Sequence, residues 1–156
     1  PNTFVNRLLQ GQHLPEFDRF KNIRPEAAYE NSRFDFYLQN EESEYWLEVK
    51  SVSLVNNGIG LFPDAPTTRG TRHLDHLIDI RKSGTEAGVL FMVQRSDATQ
   101  FAPNWITDPD FSATLKKAHD VGVEITVYTS EVEKDGISLG KRIDVDLDTE
   151  YPLPEM

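Results

Sequence analysis

Ser-Arg-Phe-Asp-Phe-Tyr-Leu at residues 32–38 and Tyr-Trp-Leu-Glu-Val-Lys at residues 45–50 decide how this chain folds. Both alternate along the chain, the period of a half-buried strand. Alternation puts Phe34, Phe36 and Leu38 on one face of the first strand and Arg33, Asp35 and Tyr37 on the other. In the second strand Tyr45, Leu47 and Val49 share a face, opposite Trp46, Glu48 and Lys50. The polar residues 39–43 between them suit a hairpin loop. If Leu38 or Gln39 pairs with Glu44, Asp35 falls opposite Glu48 or its neighbour, with two carboxylates about 5 Å apart on adjacent strands. Lys50 then lies two residues further on the same side. Such a pair of carboxylates can hold a divalent metal, and the ammonium can face a phosphate.

Around this hairpin the pattern reads as alternating elements. Asn2 or Thr3 can cap a first helix carrying Phe4, Val5, Leu8 and Leu9, which Gly11 stops. Residues 21–29 read as a first strand, with Pro25 marking an edge or an irregular section. Residues 56–66 are rich in turn formers and read as a loop. A second helix over about 69–82 buries Leu74, Leu77 and Ile78, and Gly84 ends it. Residues 89–94 form a continuous apolar strand, as in a sheet covered on both faces. A loop through Pro103 and Pro109 leads to a third helix over about 110–120, a strand at 123–128, a turn at 134–136 and a last short strand at 143–147. An antiparallel meander followed by right-handed crossovers gives an α/β fold, a mixed central sheet flanked by helices.

The 156 residues make one domain, able to bury a sizeable core. The longest apolar run, residues 87–93, is too short to span a bilayer, so no membrane is expected. No export signal is visible, and with no cysteine the chain suits a reducing cytoplasm. It opens on Pro1 rather than Met, so a piece of a longer protein is expected. The net charge of −10 argues against wrapping duplex DNA through a uniformly basic surface. The charge is unevenly placed, however. Residues 131–156 hold eight acids against three bases, whereas residues 69–82 hold Arg69, Arg72, Arg81, Lys82 and two histidines against Asp75 and Asp79.

Phosphodiester hydrolysis needs carboxylates for Mg²⁺ or Mn²⁺ and a cation beside the attacking water. Asp35, Glu48 and Lys50 supply these parts, and Glu26 could add a third carboxylate. With 26 acids and seven lysines, roughly one acid-x-Lys spacing arises by chance and one is found, so spacing alone does not separate a site from a solvated hairpin face. Trp46 points to a covered face. Arg69, His73 and His76 recur at helical spacing with Arg72 beside them, away from the leucine stripe. They form either a phosphate-binding face or a solvated one paired with Asp75 and Asp79. His73 and His76 could also ligate a metal. Asp64 reads as a turn cap or a site residue, and Gln94 and Arg95 stand at a strand end, where α/β sheets present functional groups.

Several stretches together resemble the sugar fermentation stimulation protein A (SfsA) family. They are Asn6-Arg7-Leu8, residues 32–36, residues 48–52, residues 90–95, residues 101–104 and 108–111, and above all the run from Phe62-Pro63-Asp64-Ala65 through Arg69-Gly70-Thr71-Arg72-His73-Leu74. The resemblance covers about residues 4–140. It implies a PD-(D/E)xK, restriction-endonuclease-like domain over 1–148, an acidic tail over 149–156, and an N-terminal OB-like domain in the full-length protein. It implies DNA binding linked to the regulation of sugar metabolism. Catalytic and metal roles fall on Asp35, Glu48 and Glu26, with Lys50 as the catalytic lysine. Phosphate contacts fall on Arg33, Arg69, Arg72, His73, Asp64 and Thr67. Phe34 stands where the motif's name has proline, Glu30 where glycine is expected, and Asn6 where the similar archaeal junction resolvases carry glutamate. The expected activity is a Mg²⁺- or Mn²⁺-dependent DNA nuclease acting on DNA, with a homodimer as a second expectation. The alternatives are a non-catalytic DNA-binding regulator with a vestigial site, and an enzyme acting on a small phosphorylated metabolite.

Overall fold

The computed structural model describes residues 2–154. The chain runs from α1 (Asn2–Gln10) through a 3-10 turn (Pro15–Phe17) into β1 (Asn22–Tyr29), β2 (Ser32–Gln39) and β3 (Glu44–Val52). A short hairpin follows, β4 (Leu54–Asn56) and β5 (Ile59–Phe62). Next come α2 (Thr68–Lys82), β6 (Glu86–Val93), β7 (Gln100–Pro103) and α3 (Pro109–Asp120). The chain closes with β8 (Glu124–Glu133), β9 (Gly136–Arg142) and β10 (Asp144–Val145).

The main sheet has six strands in the order β1-β2-β3-β6-β8-β9. Its β1–β2, β2–β3 and β8–β9 pairs are antiparallel, and its β3–β6 and β6–β8 pairs are parallel. Each parallel step requires a crossover, supplied by α2 and then by α3. The fold is therefore the mixed α/β sheet with flanking helices expected from the pattern. α1 buries Phe4, Val5, Leu8 and Leu9 on one face of the sheet, against Phe36, Leu38, Tyr45, Leu47, Val49, Leu90 and Met92. α2 and α3 cover the other face with Leu74, Leu77, Ile78, Ile80, Phe111 and Leu115, against Trp46, Val89, Phe91 and Val93. The Tyr45 ring reaches across to β6 only because residue 88 is glycine; a Cβ there would collide with Tyr45 Oη.

One carboxylate, Asp108, caps α3 and also holds the cap residue of α2. Thr67 Oγ1 accepts from Gly70 N at 3.0 Å, closing the first turn of α2. Asp108 Oδ1 accepts from Phe111 N at 2.9 Å at the start of α3, and Asp108 Oδ2 accepts from Thr67 N at 2.8 Å. Asp108 thus fixes the start of α2 relative to α3.

Three expectations need correction. The segment 56–66 is not all loop, because β5 lies within it and pairs with β4, and β7 was not expected at all. Both belong to a second, four-stranded sheet, β10-β7-β5-β4. β5 pairs in parallel with β7 some forty positions later, and strands of three or four residues carry too little periodicity to show a register. The strand expected at 143–147 is only Asp144–Val145. The longer β9 before it has almost wholly exposed side chains and so no apolar alternation. Finally, Phe34 does not share a face with Phe36 and Leu38; it packs under α2 with Trp46, while the other two pack under α1. Alternation breaks at the residue between them, Asp35.

Candidate active site

The break at Asp35 is where the sheet opens. On one side, β1 pairs Pro25 with Phe36 and Ala27 with Phe34, and Glu26 between them is in the left-handed region at φ 54°. On the other, β2 and β3 pair from Gln39↔Glu44 up to Phe36↔Leu47 and no further. Continuing that register by one residue sets Asp35 opposite Glu48, but the strands have parted there. The Asp35 side chain enters the gap instead: its Oδ2 accepts from Val49 N at 2.8 Å, and its Oδ1 accepts from Asn2 Nδ2 at 2.8 Å. Asp35 is thereby held from both its neighbouring strand and α1.

Glu48 is 3% exposed. Lys50 Nζ lies 3.5 Å from Glu48 Oε2, and His73 Nδ1 touches the same oxygen. Burial pushes the Glu48 carboxyl from 4.5 up to about 8, Asp35 beside it adds to the rise, and Lys50 opposes it. His73 is held down at about 4, first by burial and then by the charges of Lys50, Arg69 and Arg72. Burial thus favours the uncharged form of both partners in the His73–Glu48 contact. Two carboxyl groups beside each other, one buried, resist ionising together, and a shared cation relieves that repulsion.

These groups line one cleft of about 420 Å³, with Glu26, Arg33, Arg69 and His73 on its walls beside Asp35, Glu48 and Lys50. Glu26 is exposed and holds no hydrogen bond among the described residues. Among the described residues no three Asp, Glu, His or Cys side chains converge as a full ligand set. Two carboxylates with free positions left over fit Mg²⁺, which binds through one or two carboxylates and keeps its waters or a phosphate for the rest.

Arg72 lines the adjoining cleft rather than this one. Asp64 is exposed in the segment before α2 and Thr67 serves as the α2 cap, so neither lines the cleft. His73 turns to Glu48 and His76 to Ser32, so the two histidines do not converge on one ligand. Arg95 pairs with Asp97. Asn6 accepts from Gln10 on α1 and is absent from the cleft walls. Glu30, where glycine was expected, adopts φ 51° in the β1–β2 turn, the conformation glycine favours. The residue that the sequence did not flag is Asn2. It lies 33 positions from Asp35 and no local pattern links them.

Residues 1–136 match the family described as the sugar fermentation stimulation protein RE domain. The chain is 44% identical over 146 residues to a sugar fermentation stimulation protein homolog of Clostridium tetani, covering 93% of this chain and 64% of that one. A homolog from Desulforamulus reducens is 41% identical over 147 residues, covering 94% and 62%. The solved structure of Pyrococcus furiosus SfsA in complex with Ca²⁺ superimposes with a TM-score of 0.85 at 28% identity, over 91% of this chain and 62% of that chain. The chain therefore spans a little under two thirds of the length of these relatives. Among the described residues no helix is long and apolar enough to cross a membrane.

Proposed function

The chain belongs to the sugar fermentation stimulation protein (SfsA) family, and from that premise we propose that it is a divalent-metal-dependent nuclease domain acting on DNA. The observation that carries this reading is the carboxyl pair. Asp35 and Glu48 come from strands that part where they meet, and the buried Glu48 is pushed up to about 8 beside Asp35. That arrangement is unfavourable for a purely structural pair and favourable for one that receives a cation. The Pyrococcus furiosus relative, solved with Ca²⁺, supports a hard, oxygen-liganded ion; Mg²⁺ or Mn²⁺ is the ion proposed here.

Such an ion would polarise a phosphate oxygen and lower the pKa of an attacking water. The chain's own groups do the rest. Asn2 and Val49 N hold the Asp35 carboxylate in one orientation. Lys50, beside Glu48, is placed to orient the water and to oppose the negative charge that grows on the phosphate. Arg33 and Arg69 on the cleft walls take the non-bridging oxygens. His73 lines the same cleft, against Glu48. Glu26, on the same wall, is the candidate third ligand through a water. A link to sugar metabolism rests on the relatives' name alone.

The test is incubation with plasmid and labelled oligonucleotides in Mg²⁺, Mn²⁺ or EDTA, beside Glu48→Ala. Cleavage that needs metal and disappears in the variant is expected. DNA binding without cleavage in any metal would instead mark a regulator that keeps the fold and not the reaction.

A further inference from the structure

The acidic balance of the chain makes its arginines informative. Of the nine arginines, Arg19, Arg95 and Arg142 pair with Glu86, Asp97 and Glu16, and Arg7 and Arg24 lie over the rings of Phe4 and Tyr37. Arg33, Arg69 and Arg72 have no ion pair or hydrogen bond among the described residues, and all three line one cleft of about 520 Å³. Asn31, Ser32, His73 and His76 complete that cleft, and Ser32 Oγ contacts His76 Nδ1. A serine that donates to Nδ1 leaves the other ring nitrogen, Nε2, as the donor for a ligand.

The two ends of this cleft differ. At one end it shares Arg33 and Arg69 with the cleft of Asp35, Glu48 and Lys50. At the other it meets a hollow of about 70 Å³ that shares Ser32 and His76 and carries Glu30 and Asp79. The unpaired positive charge is thus bounded by the carboxyl pair on one side and by two exposed acids on the other. Such a stretch has room for few phosphates: the one at the carboxyl pair and its neighbour, after which Glu30 and Asp79 repel the strand.

We propose that this second cleft is a subsite for one phosphate next to the hydrolysed one, held by Arg72 and His76, so that the site takes two consecutive phosphates of a nucleic-acid strand. The proposal rests on the nuclease reading above for the position of the first phosphate. The chemistry required of the ligand is a phosphate monoester or diester one nucleotide away, with no base contact.

Dinucleotides test it. Calorimetry compares TpT, which has a single phosphate, with pTpT and TpTp, which add a second at one end or the other. One of the two is expected to bind the wild-type chain about tenfold more tightly than TpT, the size of one charge-assisted contact. Arg72→Ala and His76→Ala should each erase most of that preference while leaving unchanged both TpT affinity and the rise in melting temperature that Mg²⁺ binding to the native state should produce. On longer single strands, Arg72→Ala should lower the salt-dependence slope by about one. Equal affinity for all three dinucleotides, or a preference that survives in both variants, overturns the subsite. A preference that behaves as expected in a protein with no Mg²⁺ response and no cleavage upholds the subsite and overturns the nuclease reading instead.

Discussion

The two faces of β3 are one residue apart and obey opposite physics. Tyr45, Leu47 and Val49 face α1, inside a closed apolar cluster. Their burial is favourable in itself, at about 25 cal/mol per Å² of apolar surface removed from water. Trp46, Glu48 and Lys50 face α2. Trp46 is covered by aromatic rings, those of Tyr29, Phe34 and Tyr37. Glu48 is buried nearly as deeply as its neighbours, yet it must carry a proton or meet a cation to stay there. One face of the strand stabilises the fold, and the other holds an electrostatic tension that the fold tolerates. Stability and chemistry are thus separable on a single strand, and substitutions one position apart should separate them.

The largest effect is expected at Lys50. Lys50→Ala should lower cleavage by about 10²–10³-fold, the scale for removing one group that stabilises developing charge. The Mg²⁺-induced rise in melting temperature should remain, because the lysine is not a ligand. Retained cleavage with lost metal response would reverse the roles assigned to the two groups.

Leu47→Ala tests the other face. It should cost about 3 kcal/mol, a melting temperature roughly 10 °C lower, without altering the metal response. If the loss of stability came with loss of metal binding, the two faces would not be independent.

Metal-free stability should fall by about 2 kcal/mol between pH 6.5 and 8. The sign follows from Glu48. Its folded value of about 8 exceeds the ordinary 4.5, so its contribution is full below pH 4.5 and is lost as pH rises to 8. His73, held near 4 against 6.5, works in the opposite direction between pH 4 and 6.5, where rising pH stabilises the folded state. The two trends offset up to about pH 6.5, and Glu48 acts alone above it. Urea unfolding in EDTA across this range should show the fall, and Glu48→Gln should flatten it. Stability that rises from pH 6.5 to 8 in the wild type would mean that Glu48 is ionised without a cation.

The smallest effect is expected at Val49, whose side chain belongs to the apolar face and whose N–H holds Asp35. Val49→Ala should cost about 1 kcal/mol and leave metal-dependent stabilisation in place, since the backbone donor survives. A larger loss of metal response than of stability would show that the side chain also sets the Asp35 position.

Much of the fold was legible because long elements repeat a single period. The stripe of Leu74, Leu77 and Ile78 and the apolar run at 89–93 each state their structure several times over, so α2 and β6 were visible. β5 and β7 were not, since four residues that pair with distant partners state it once or not at all. The candidate site was legible in a similar measure. The register Gln39↔Glu44 is one of the two that the hairpin pattern allows, and it places Asp35 opposite Glu48. The face of Phe34 was misread because alternation assumes unbroken pairing, and pairing breaks at Asp35 where the side chain takes the place of a ladder bond.

By itself the sequence determined the α/β class, the hairpin that carries Asp35, Glu48 and Lys50, and the family, because these depend on patterns within a few residues or on motifs that survive intact. Only the tertiary structure decided that Asn2 holds Asp35, that Glu48 is buried against His73, and that Arg33, Arg69 and Arg72 share a cleft without acidic partners among the described residues. Burial and charge pairing are sums over everything that surrounds a group. The surroundings come from segments tens of residues apart, so no local stretch of sequence contains them.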